Sequence, residues 1–176
     1  MSSSMKSWHV GVAAEAIAAA QFARCGYYVS VQYGANQPEY DLICEADGLM
    51  LKISVKGSQD GSWGLAQGYK KDHTYHEAID LWLASHHSKT IFCLVQFKGV
   101  DLNETPRIYL ATPEEIANRM KATANGRGDT ILYENHKWKK KLPGMVLQTT
   151  YPKSGFSVWD ELNTCLKNTE SRENNE

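Results

Sequence analysis

Apolar and polar positions along this chain change their period several times, and each change marks an element. Val10 to Cys25 is rich in alanine and free of proline, which predicts a helix. Gly26 follows as its stop, because glycine takes the left-handed conformation that ends helices. From Tyr27 to Tyr33 the residues alternate with a period of two, which predicts a strand. Gly34 to Pro38 is a loop, and Tyr40 to Glu45 is the next strand. Asp47-Gly48 suits a tight hairpin turn, with Leu49 to Lys56 as the partner strand.

Beyond the hairpin the signals weaken and then recover. Gly57 to Gly68 carries glycines at 57, 61, 64 and 68 and reads as mostly loop. Thr74 to His86 places Ile79, Leu81, Trp82 and Leu83 on one broad apolar side, which predicts a helix. Thr90 to Phe97 is a strong strand, and Arg107 to Leu110 a short one. Thr112-Pro113-Glu114-Glu115 starts a helix that runs to Ala122, with Thr112 as N-cap, proline at the first position and Glu115 closing a capping box. Asn125 to Gly128 is a turn, Thr130 to Tyr133 a strand, and Phe156 to Leu162 an amphipathic piece that packs back.

Strands flanked by helices predict an α/β fold with a mixed central sheet. The expected organisation is one domain over residues 8–166, between a flexible start at 1–7 and a flexible tail at 167–176. No GxGxxG follows the first strand and no GxxxxGK[ST] occurs, which argues against dinucleotide-binding and phosphate-loop folds.

Composition narrows the class only modestly. At 176 residues, with 42% hydrophobic and 22% charged, the chain suits a globular protein with a real core. No apolar run approaches the length of a membrane span, so a cytoplasmic protein is expected. A net charge of −1 means that any attraction to nucleic acid must come from a local patch. Cys25, Cys44, Cys93 and Cys165 are widely spaced and form no CxxC pair, which points to reduced thiols rather than structural zinc.

The hairpin carries the candidate chemistry. Side chains two apart in a strand share a face, so Lys52, Ser54 and Lys56 point together, as do Glu39 and Asp41 if the strand begins at Glu39. A turn at Asp47-Gly48 puts Asp41 opposite the region of Ser54. Glu15 sits upstream among alanines, on or beside an apolar face, where a carboxylate needs a partner or a metal. Mg²⁺ prefers oxygen ligands. Asp41 would bind it directly, Glu15 or Glu39 would add a carboxylate, and the Val55 carbonyl a neutral oxygen. Lys56 would position water and stabilise charge on the phosphorane. Blander readings stand beside these: Glu15 at a face boundary, Asp41 at a strand start, Lys56 as a solvated edge lysine.

These residues, in the order helix, strand, strand, resemble the PD-(D/E)XK nuclease superfamily, the fold of restriction endonucleases and archaeal Holliday-junction resolvases. The resemblance spans roughly residues 8–100. Gly11-Val12-Ala13-Ala14-Glu15 with Phe22-Ala23-Arg24-Cys25-Gly26-Tyr27 is similar to the family's first helix, Asp41 to its metal-binding aspartate, and Ser54-Val55-Lys56 to its (D/E)-X-K element. The resemblance implies a restriction endonuclease-like core and hydrolysis of DNA phosphodiesters with Mg²⁺ or Mn²⁺. Ser54 departs from the pattern, standing where the family usually carries an acid. Either Glu39 substitutes, or Glu15 and Asp41 suffice with the Val55 carbonyl and water, or the site does no chemistry. The last case describes an inactive nuclease-fold module that binds nucleic acid or a protein partner.

Contacts to DNA have weaker signals. Gln59, Lys70 and Lys71 follow the hairpin and suit a phosphate backbone, though a solvated loop and helix start explain them better. In His136-Lys137-Trp138-Lys139-Lys140-Lys141, the lysines Lys137, Lys139 and Lys140 would grip phosphates beside a stacking ring, or protect a strand edge. Cutting both strands of a duplex takes two sites, which makes a homodimer an expectation.

Overall fold

The computed structural model describes residues 5–32 and 39–136. Helix α1 spans Ser7–Arg24 and starts three residues before the expected Val10. Its end is a Schellman motif. Gly26 takes φ of 84°, its N–H donates to Ala23 O at 3.0 Å, and Tyr27 N–H donates to Phe22 O at 3.1 Å. The rings of Phe22 and Tyr27 meet edge to face at 5.8 Å, closing the apolar contact that accompanies the motif.

Strand β1 is Tyr28–Val31, β2 is Leu42–Ala46 and β3 is Leu49–Ser58. Asp47 and Gly48 both take positive φ, 51° and 77°, and Ala46 pairs with Leu49 across the turn, as a primed hairpin requires. Strand β4, Ser62–Gly64, and a single 3₁₀ turn at Gln67–Tyr69 occupy the segment expected to be mostly loop. Then come α2 (Tyr75–Ala84), β5 (Thr90–Gln96), β6 (Arg107–Ala111), α3 (Pro113–Ala122) and β7 (Ile131–Tyr133). The Thr112/Glu115 capping box forms as expected, and a second one joins Thr74 to Glu77. The amphipathic piece at Phe156 to Leu162 and the tail lie outside the described residues.

One five-stranded sheet runs in the order β1-β2-β3-β5-β6. β3 and β5 are parallel, and the other neighbours antiparallel. This is an α/β fold with a mixed central sheet flanked by helices, the arrangement expected of a restriction endonuclease-like core. A separate ribbon pairs β4 with β7.

Alternate residues of β5 serve two cores, and β3 joins the first of them. Ile53, Val55, Cys93 and Val95 pack with Ala14, Ala18 and Phe22 of α1. Phe92 and Leu94 face the other way, with Ile79 and Trp82 of α2, Ile116 and Met120 of α3, and Trp63 and Leu132 of the ribbon. A strand buried on both faces reads as a continuous apolar run, which is why Ile91 to Val95 shows no alternation. Cys25, Cys44 and Cys93 are free thiols, and burial pushes the Cys44 and Cys93 thiols up to about 12. Among the described residues, no helix is long and apolar enough to cross a membrane.

Candidate functional site

Gly57 determines how closely α1 approaches β3. A Cβ at this position would lie 2.7 Å from the Val10 carbonyl oxygen and 2.9 Å from the Ala14 Cβ. The helix therefore rests on bare backbone one residue beyond Lys56. Val10, Ala14, Ala18 and Phe22, spaced by four, form the buried face of α1. Glu15 is the neighbour of Ala14, at the edge of that contact. Its carboxyl is pushed above the ordinary 4.5 by burial first and by the Asp41 carboxylate second, while Lys56 pulls it down. Glu15 therefore lies within electrostatic range of both Asp41 and Lys56.

Asp41 lies one residue ahead of β2 rather than inside a strand. Leu42 pairs with Ile53, so Asp41 falls opposite Ser54, as the turn position implied. Its backbone still continues the ladder: its N–H donates to Ile53 O at 2.8 Å and its carbonyl accepts from Gln32 N–H at 2.9 Å. The regular pairing stops because the side chain takes over. Asp41 Oδ2 accepts the Val55 N–H at 2.5 Å. The N–H and C=O of one strand residue point to the same flank, so the Val55 carbonyl also lies on the Asp41 side of β3.

Lys56 Nζ stands 3.8 Å from Asp41 Oδ2, with the lysine side chain 41% exposed and the aspartate 19%. The lysine is anchored at its base and open at its tip. Its backbone carbonyl accepts the indole N–H of Trp63 at 2.9 Å. Trp63 is itself buried against Tyr109, ring centroids 6.2 Å apart. Trp63 is thus a core residue that fixes the strand end carrying Lys56.

Ser54 is 1% exposed and lies beside Phe92 of β5 in the parallel register. Glu39 is held elsewhere: its Oε1 accepts the His87 backbone N–H at 2.8 Å, between α2 and β5. Among the described residues, no group of three or more His, Cys, Asp or Glu side chains is placed to hold a metal. What the structure brings together is Asp41 and Lys56, with Glu15 within electrostatic range.

The DNA-contact candidates separate. Gln59 clamps the segment before α1, its amide donating to Met5 O at 2.6 Å and accepting from Met5 N–H at 2.9 Å. Lys70 Nζ donates to His73 O at 2.7 Å and sits over the Tyr75 ring. Lys71 is exposed. Lys137, Lys139 and Lys140 lie outside the described residues. Sequence reasoning missed the roles of Gly57 and Trp63. A glycine directly after the lysine was the visible sign of the first, and nothing local marked the second.

No protein family matches the sequence, and no characterised protein matches it by sequence. Among solved structures, the chain is similar to a bacterial homing endonuclease, I-Ssp6803I, at 12% identity and a TM-score of 0.48, over 96% of this chain and 99% of that one.

Proposed function

We propose that the chain is a metal-dependent nuclease acting on DNA, with Mg²⁺ or Mn²⁺ held by Glu15 and Asp41. The observation behind this reading is the approach of Lys56 of β3 to Asp41 at the mouth of β2, 3.8 Å apart, with Glu15 of α1 within electrostatic range of both. Burial first and the Asp41 carboxylate second raise the Glu15 carboxyl, and Lys56 only partly opposes them. That suits a dication. Mg²⁺ keeps several waters and uses one or two protein carboxylates, so this donor set is of the right kind without a third acid. The Val55 carbonyl would complete it.

When bound, the metal would polarise a phosphate and acidify its water. The chain's own residues do the rest. The Val55 N–H fixes Asp41 through Oδ2, leaving Oδ1 for a cation. Lys56, anchored by Trp63 and open at its tip, orients the attacking water and meets negative charge as it builds on the phosphorane. Ser54 contributes bulk rather than charge. Glu39 supports the segment leading into Asp41 instead of binding metal. Because a double-strand cut takes two sites, this reading extends to a symmetric dimer.

The absence of an acid at position 54 favours one other reading, a nuclease-fold module that binds nucleic acid or a protein partner without cutting. Mn²⁺ titration separates the two before any cleavage assay. The nuclease reading expects binding that Asp41→Asn and Glu15→Gln each weaken at least about tenfold, a loss of roughly 1.4 kcal/mol. Wild-type protein that takes up no Mn²⁺ leaves the non-catalytic module.

A further inference from the structure

Helices α2 and α3 cover only part of the sheet face on which Phe92 and Leu94 lie. The core beneath them draws on β5 and β6 of the five-stranded sheet and on no residue of β1, β2 or β3. The same face of those three strands is open among the described residues. Tyr28 is 80% exposed and Met50 61%. Ser30 and Lys52 are exposed as well, and Ile43 is half-buried. The opposite face is closed, with Leu42, Cys44, Ile53 and Val55 in the core that α1 covers.

Register sets this open face beside Asp41. Residues paired across strands share a face, so Ser30, Ile43, Lys52 and Thr90 form one row across β1, β2, β3 and β5. The next row along β3 is that of Ser54, which Asp41 faces, and the row after it is that of Lys56. Lys52 and Lys56 therefore stand on one face about 13 Å apart, at roughly 3.3 Å per residue, with the Asp41 row between them. Lys52 Nζ lies over the Tyr40 ring, 5.1 Å from its centroid, so its charge is placed without being neutralised. The acids nearby are accounted for. Glu39, next to Tyr40 in the chain, accepts the His87 N–H, and exposed Glu45 sits one row farther from Asp41, between Tyr28 and Met50. Thr90, beside Lys52 in register, is 1% exposed, and its Oγ1 has no hydrogen-bond partner among the described residues. Buried hydroxyls are normally paired, and a phosphate oxygen held at Lys52 would meet that need through a bridging water.

We propose that the open face of β1–β3 carries the backbone of duplex DNA on its way to Asp41, with Lys52 holding one of its phosphates. The inference rests on the nuclease reading, which puts the phosphate to be cut at Asp41 and Lys56. At about 3.4 Å of rise per nucleotide along a duplex strand, the spacing of the two lysines covers roughly four nucleotides, so they hold different phosphates. An ammonium group on a phosphate fixes the register of the strand and reads no sequence. Lys52 is thus a substrate-positioning residue outside the reacting centre.

The test is fluorescence anisotropy with labelled duplex oligonucleotides of unrelated sequence, in EDTA, on an Asp41→Asn background that cannot cut. Lys52→Ala added to that background is expected to weaken binding at least about threefold for every sequence, and to lower the slope of log affinity against log salt by about 1. Lys52→Glu is expected to weaken it further, and Lys52→Arg, which keeps the charge, to bind like the parent. Position 52 is exposed, so all three variants keep the fold. Affinity and slope unchanged in both Lys52→Ala and Lys52→Glu overturn the proposal, as does a folded parent that binds no DNA. Metal-dependent cleavage by a protein indifferent to Lys52 would keep the nuclease reading and remove this surface. Binding that depends on Lys52 without any cleavage by the wild type would keep the surface and remove the nuclease reading.

Discussion

Asp41 and Val55 are joined by a hydrogen bond of 2.5 Å from the Val55 N–H to Asp41 Oδ2. A side chain here does what a strand backbone would do, at the point where β2 opens away from β3. The bond allows the structural duty of Asp41 to be separated from the chemical one proposed for it. Asp41→Asn keeps an acceptor for the N–H and removes the charge. Asp41→Ala leaves the N–H without its acceptor. Urea denaturation is expected to give Asp41→Asn near wild-type stability and Asp41→Ala a loss of about 1–3 kcal/mol, while both lose metal binding. Equal destabilisation of the two would mean that the hydrogen bond does not set the aspartate's position.

Glu15 links the site to pH. Its folded-state carboxyl is raised above the ordinary 4.5, mainly by burial and then by Asp41. A raised carboxyl binds its proton more tightly in the folded state, so ionisation weakens the fold as pH rises through the folded value. Glu15→Gln removes that penalty. Without metal, the variant is expected to melt above wild type at neutral pH, and the gain to vanish below the ordinary value. Added Mg²⁺ should reverse the order at neutral pH, because it stabilises only the protein that retains the carboxylate pair. Thermal melts at two pH values, with and without Mg²⁺, check all three statements.

Gly57→Ala tests the seat of α1. The new methyl meets the Val10 carbonyl at 2.7 Å and the Ala14 side chain at 2.9 Å, and the carbonyl cannot move without the helix. A loss of about 1–3 kcal/mol is expected by chemical denaturation, with weaker Mn²⁺ binding as Glu15 moves away from Asp41. Wild-type stability would show that the helix has room the geometry denies.

Ser54→Asp asks whether position 54 accepts an acid. Position 54 is 1% exposed, beside Phe92. A carboxylate there without metal is expected to cost at least about 2 kcal/mol, read by denaturation in EDTA. Mg²⁺ is expected to recover part of that loss. A variant as stable as wild type in EDTA would mean that the position is open to water after all.

The parts legible in the sequence were those that local rules govern. The α1 stop at Gly26, the Asp47-Gly48 turn and the Thr112/Glu115 box each depend on residues within a few positions, and each formed. The hairpin register followed from its turn, which put Asp41 opposite Ser54. The ribbon was half legible. Thr130 to Tyr133 showed as a strand, but its partner Ser62–Gly64 is three residues long, contains glycine and pairs far along the chain. Glu39 has a partner that was not legible, for a similar reason. Sequence parity put it on the face of Asp41, but its partner, the His87 N–H, belongs to a distant loop. Trp63 gave no local sign of its bond to the Lys56 carbonyl, because strands and a long side chain had to be assembled first.

The most direct measurement is a cleavage assay on linear, nicked, branched and single-stranded DNA with Mg²⁺ or Mn²⁺, comparing wild type with Asp41→Asn and Lys56→Ala. The expected result is metal-dependent cleavage by wild type that falls at least about a hundredfold in each variant, while both remain folded. Cleavage that persists in both variants, or folded wild-type protein that cuts none of these substrates, would contradict a nuclease centred on Asp41 and Lys56.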